Sequence, residues 1–99
     1  MITEIATIEI RPGTAEPFEN AVAEATPLFR NARGCISLRL ERCVEEQQVY
    51  RLFVGWETLE DHEVHFRNSP AFAQWRALAG PFFVRPPRVV HSVRVLDGF

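Results

Sequence analysis

The sequence predicts an α+β domain of the split βαβ kind, a four-stranded antiparallel sheet carrying two helices on one face. Three observations predict it. Four segments alternate apolar and polar residues with the period of a strand, and two helical stretches repeat apolar residues every three to four positions. Together they occur in the order β-α-β-β-α-β. A chain of 99 residues has room for one domain only, spanning 1–99.

The first strand runs from Ile2 to Ile10, with Ile2, Ala6, Ile8 and Ile10 on one side and Thr3, Thr7 and Glu9 on the other. Arg11-Pro12-Gly13 ends it, and Thr14 offers an N-cap hydroxyl to a helix striped by Phe18, Val22, Ala25, Phe29 and Ala32. Gly34 is the stop of that helix. Pro27 lacks an amide donor, so a kink or break is expected between Ala23 and Thr26. The second strand, Cys35 to Val44, sets Ile36, Leu38 and Leu40 against Ser37, Arg39 and Glu41. Glu45-Glu46-Gln47 turns into a third strand, Gln48 to Trp56, where Tyr50, Leu52, Val54 and Trp56 share a face.

Thr58 caps the next helix, with Asp61 three residues on and an inner face of Leu59, His62 and Phe66. Ser69-Pro70, a cap followed by a first-position proline, restarts it through Phe72, Trp75 and Leu78. Gly80-Pro81 stops it. Phe82 to Arg88 is a loop too apolar to be idle, and Val89 to Leu96 is the fourth strand, with Val89, His91, Val93 and Val95 together. Helices on one face of such a sheet make the arrangement ferredoxin-like.

Composition narrows the function classes. Hydrophobic residues make up 46 % of the chain, an excess for a core that buries only about 60–65 % of the unfolded surface. A homodimer would absorb the surplus, through the mixed outer face of Thr7, Glu9, Ser37, Arg39, Glu41, Arg51 and Phe53. The net charge is −2 and all 11 cationic residues are scattered Arg, which leaves no basic footprint for nucleic acid. Without Lys there is no Schiff-base chemistry and no phosphate-loop lysine. With neither a basic-then-apolar leader nor a membrane span, no membrane partner and a cytoplasmic location are expected. Cys35 and Cys43 would lie roughly 26 Å apart on one strand, so both read as reduced thiols.

The chemistry-bearing residues are few. There is no Ser-His-Asp pattern, glycine-rich phosphate loop or paired carboxylates. His62 and His65 share one side of a helix, but a metal site wants a third ligand, and His91 is the only other candidate; no metal is expected. The plainer reading has one of the two exposed and the other bonded inside. His65, beside the anchoring Phe66, is the better placed to face a cavity and take a proton from a phenol or enol. Tyr50 and Trp56 point to one side of their strand, where core packing and a ligand wall are both open readings. What remains is a small apolar pocket for a hydrophobic metabolite.

The run VGWETLEDHEVHFRNSPAFAQW resembles the signature of the antibiotic biosynthesis monooxygenase (ABM) family: Trp56-Glu57, His65, Ser69-Pro70 and Phe72 match in order and spacing. The Arg-Pro-Gly lead-in to the first helix, with Phe18 after it, Gly34 and the Pro-rich loop before the last strand also fit. The resemblance implies a dimeric α+β barrel with sheet faces inward. It further implies a cofactor-independent monooxygenase that oxidises a phenolic, anthrone or quinol-like aromatic with O2. On this reading His65 is the base or orienting group, Trp56 and Tyr50 are wall and hydrogen-bond donor, and Phe66, Phe72, Phe82, Phe83 and His91 line the substrate. His62 matches nothing in the pattern and is read as structural or solvent-facing. The haem-degrading branch is discounted, since its ligating His would fall near Trp75 and Arg76. Ala71 stands where many members carry a His. The alternative reading is a non-catalytic dimeric small-molecule-binding or stress-related domain on the same fold.

Overall fold

The structure, a computed structural model, describes residues 1–99. Strands β1 (Ile2–Glu9), β2 (Cys35–Arg42), β3 (Val49–Trp56) and β4 (Arg88–Ser92) form one antiparallel sheet in the order β2-β3-β1-β4. Helices α1 (Ala15–Arg30) and α2 (Pro70–Ala79) cover one face, as a split βαβ chain requires.

The core lies where the predicted stripes meet. Ala6 and Ile8 from β1, Ile10 just after it, and Tyr50, Leu52, Val54 and Trp56 from β3 bury against Phe18, Val22, Ala25 and Phe29 of α1, with Trp75 and Ala79 of α2 closing one end. Period-two and period-3.6 patterns therefore point at the same volume, which makes the fold internally consistent. The apolar loop after α2 is pinned to β1 by backbone bonds from Arg11 to Phe82 and from Val84 to Glu9, while Phe82 sits edge-on to Phe18.

Several local expectations are corrected. Helix α1 runs unbroken through Pro27, which sits in its last turn, so the one amide-to-carbonyl bond that proline cannot make does not stop the helix. The Thr14 hydroxyl turns back to the Arg11 carbonyl (2.6 Å) and does not cap the helix. Ile36 is exposed because the β2–β3 register slips between Cys35 and Ser37: an extra residue bulges out and reverses its direction. β2 stops at Arg42 and β4 at Ser92. Ser92 pairs with Thr3, close to the start of β1, and past it Val93, Val95 and Leu96 stand exposed outside the sheet.

The largest difference follows β3. The helix expected after Thr58 forms only as a π-helical segment, Asp61–Phe66, in which the Arg67 amide reaches back five residues to the His62 carbonyl (3.2 Å). Thr58 does cap it, accepting from the Asp61 amide at 3.2 Å. The wider turn buries Asp61, His62 and Phe66 and leaves Glu63, Val64 and His65 outside. Ser69 then caps α2 with its hydroxyl oxygen on the Phe72 amide.

Candidate functional site

Glu4 sits on β1 in phase with Ala6, Ile8 and Ile10, so strand geometry carries its carboxyl to the helix-covered side, where it is 5 % exposed. β1 is a central strand. Its register sets Val54 of β3 on one side of Glu4 and His91 of β4 on the other. Trp56, the last residue of β3, donates its indole N–H to Glu4 Oε1 at 3.0 Å. The π-helical segment lowers His62 onto this pair, its ring stacked on Trp56 at 5.3 Å and 17° and its Nε2 3.3 Å from Glu4 Oε1. His62 Nδ1 lies 2.8 Å from His91 Nε2, and His91 Nδ1 lies 3.6 Å from Glu63 Oε1. Phe66 closes over Trp56 at 5.3 Å.

Electrostatics follow from burial. Desolvation pushes the Glu4 carboxyl up to about 7, against the lowering effects of the Trp56 N–H and the Arg67 guanidinium. Desolvation also pushes His62 down to about 4, with the charges of Arg67 and His91 acting the same way. Near neutrality the Glu4 carboxyl therefore gains or loses its proton while His62 stays neutral.

Opposed shifts make a stability prediction. Glu4 binds its proton more tightly folded than unfolded, so its contribution is lost as pH rises from 4.5 to about 7. His62 binds its proton less tightly folded, so its contribution appears as pH rises from about 4 to 6.5. Where the windows overlap the two slopes cancel, and the pair's combined contribution should be nearly flat. In Glu4→Gln only the His62 contribution remains. Urea unfolding should then show stability climbing with pH by about 1.4 kcal/mol per pH unit over that interval. Equal slopes in the two proteins would contradict the opposed shifts.

Glu4 and His62 open onto a cleft of about 420 Å³ between the sheet, α2 and the loop before β4. Its apolar wall is Ile8, Leu52, Phe72, Trp75 and Val89, and Arg67 and Arg76 supply positive charge. An apolar cleft with one convergent acid–imidazole pair suits a flat organic molecule bearing an ionisable hydroxyl.

The eight residues singled out from sequence separate in space. Trp56, Phe66 and His91 join the Glu4–His62 cluster, and Phe72 lines its cleft. Tyr50 lies at the opposite end of β3, where burial and the Glu19 carboxylate raise its phenol as it donates to Glu19 at 2.6 Å. Phe82 and Phe83 are near that far end, on Phe18 and bridged to Ile10. His65 is exposed and lines a separate cleft of about 350 Å³ between the end of α1 and the start of α2, with Leu28, Arg33 and Pro70. The reason is the π turn, which rotates His62 inward. Sequence reasoning missed Glu4 altogether. Its signal was a carboxylate in phase with three buried apolar residues, and for His62 the signal was its place in the stripe with Phe66.

Comparison with known proteins bears on what this cleft does. The family model for antibiotic biosynthesis monooxygenases matches residues 1–78. The uncharacterized protein YczJ of Bacillus subtilis (strain 168) is 40 % identical over 91 residues, which cover 92 % of this chain and 96 % of that one. A crystal structure from Bordetella bronchiseptica, proposed to be an antibiotic biosynthesis monooxygenase, is 48 % identical. It superposes with a TM-score of 0.95 over 96 % of this chain and 97 % of its own. A Caulobacter crescentus structure with the same proposed activity is 23 % identical with a TM-score of 0.82, covers 96 % of this chain and 90 % of its own, and shows the shared fold.

Proposed function

The chain belongs to the antibiotic biosynthesis monooxygenase family, and from that premise we propose that it oxidises a small phenolic, anthrone or quinol-like aromatic with O2 in the Glu4–His62 cleft. One observation carries the proposal: a buried carboxyl pushed to about 7 sits at the floor of an apolar cleft. A group titrating near the working pH is suited to take a proton from a phenol or enol and return it. The resulting anion is electron-rich and can pass an electron to O2. Oxygen then adds to the ring carbon and the O–O bond breaks. That carbon becomes C=O, and the second oxygen atom leaves as water with the hydrogen from that carbon and the one the substrate gave up as a proton from its hydroxyl or CH2. The substrate supplies all four electrons. The protein binds the ring against Phe72 and Trp75, holds the proton at Glu4 and limits water. Glu4 and His62 take the base and orienting roles that motif spacing suggested for His65, because they are the pair that faces the cleft.

The test is aerobic and anaerobic incubation with anthrone and quinol panels, reading O2 uptake and product mass. Absence of O2-dependent turnover across the panel would favour the non-catalytic binding domain. A cleft that could hold many waters, at about 30 Å³ each, supports the enzyme reading.

The homodimer belongs to the same proposal. On the sheet face away from the helices, Val90, Ile5, Phe53 and Arg39 form one row across all four strands, with the Arg39 guanidinium 4.2 Å over the Phe53 ring. The next row is Arg88, Thr7, Arg51 and Glu41. An apolar row beside paired opposite charges is suited to a second copy turned face to face. Sedimentation at micromolar concentration should give a dimer, and Phe53→Glu should weaken association at least tenfold. A species of 11.4 kDa alone would remove the dimer.

A further inference from the structure

We propose that Glu4, His62, His91 and Glu63 form a proton relay joining the floor of the cleft to the solvent at the edge of the sheet. This rests on the reading of the cleft as the reaction site and adds residues to it. The evidence is a graded chain of side chains. Exposure runs from 7 % at the Glu4 carboxyl and 3 % at His62 to 18 % at His91 and 44 % at Glu63. The separations are 3.3 Å, 2.8 Å and 3.6 Å. The first two are within or near hydrogen-bond reach, and the last is short enough for one water to span. Two imidazoles nitrogen to nitrogen beside a buried acid make a continuous path, since an imidazole takes a proton on one nitrogen and releases another from the opposite one.

The chain has two self-consistent bonding states. With Glu4 ionised, His62 Nε2–H donates to the carboxylate and His91 Nε2–H donates to His62 Nδ1. With Glu4 protonated, its O–H donates to His62 Nε2, His62 Nδ1–H to His91 Nε2, and His91 Nδ1–H points to Glu63. Passage from the second state to the first moves one proton at each hop and delivers one proton to Glu63 or water. Nothing is oxidised or reduced. Glu4 thereby stays in equilibrium with bulk pH while the cleft is filled by substrate. Trp56 is a positioning residue, holding Glu4 Oε1 with its N–H and the His62 ring by stacking. Other titratable or charged groups near the path are Arg67 after the π-helical segment, Arg76 of α2 and the half-buried Cys35 thiol of β2.

The relay is tested by long-range ¹H–¹⁵N correlation of the histidine side chains between pH 5 and 9. In the wild type, His62 and His91 should exchange Nε2–H for Nδ1–H together as Glu4 titrates, with His65 behaving independently. Glu4→Gln should abolish the joint switch. His91→Gln, at a partly exposed position on the edge strand, should slow exchange of the His62 ring proton with water at least tenfold. Fixed tautomers across the range, or His62 exchange indifferent to His91→Gln, would overturn the relay. These readings need no substrate, so O2 uptake with fixed tautomers sinks the relay alone, while a coupled switch without turnover sinks the oxygenase reading alone.

Discussion

Glu4→Gln is expected to lower kcat/KM by about 10²- to 10⁴-fold for any aromatic the wild type oxidises, the range a positioned general base contributes. The substitution isolates that role well. Gln keeps the length of the side chain and still offers an oxygen to the Trp56 indole N–H, which lies 3.0 Å from Glu4 Oε1. The fold should therefore survive, losing no more than about 1–2 kcal/mol. Loss of rate should come from the missing proton acceptor and should not be rescued by substrate concentration. Glu4→Asp withdraws the carboxylate by one methylene and should retain part of the activity. His65→Ala should change kcat/KM by less than about threefold, because that ring is exposed in a different cleft. Steady-state O2 uptake on the three variants decides it. Full activity in Glu4→Gln would end the role of Glu4 as base.

Gly34→Ala should cost about 3–5 kcal/mol and lower Tm by on the order of 15 °C. Two effects add. Gly34 holds φ +76°, a left-handed conformation that side chains rarely adopt, and an added Cβ there would drive into the Asp61 carboxyl. Asp61 has little freedom to yield. It is buried, its carboxylate lies 3.6 Å from the Arg33 guanidinium, and its amide is bonded to Thr58. The damage should also reach the site, since Asp61 opens the π-helical segment and His62 is its next residue. Gly13→Ala separates the two effects. Gly13 has φ +78° with nothing within 4 Å of an added Cβ, so it should lose only about 1–2 kcal/mol. Thermal unfolding of both variants gives the comparison, and equal losses would show that the Asp61 contact carries no weight.

Much of the fold was legible because its signals are local and repeated. Alternation in Tyr50–Trp56, the stripe from Phe18 to Phe29, and the Ser69-Pro70 cap each report a periodic or stereochemical constraint that holds wherever the segment packs. Legibility failed where one residue more or less changes the direction of a side chain. The bulge at Ile36 and the π turn at Asp61–Phe66 are both insertions of that kind. Each depends on what the neighbouring strand or helix demands, which no short window contains.

The sequence by itself determined the element order, the buried face of the two central strands and the family. These follow from hydrophobic period and capping chemistry, which act over a few residues. Only the tertiary structure brought the candidate site together. Glu4, Trp56, His62 and His91 come from four elements and meet because the sheet order sets β1 between β3 and β4. The same geometry carries Tyr50 to the far end and turns His65 outward. Proton chemistry depends on distances of a few ångströms and on exclusion of water. Both arise only when segments distant in the chain are packed together, and so the composition of the site was hidden while its scaffold was not.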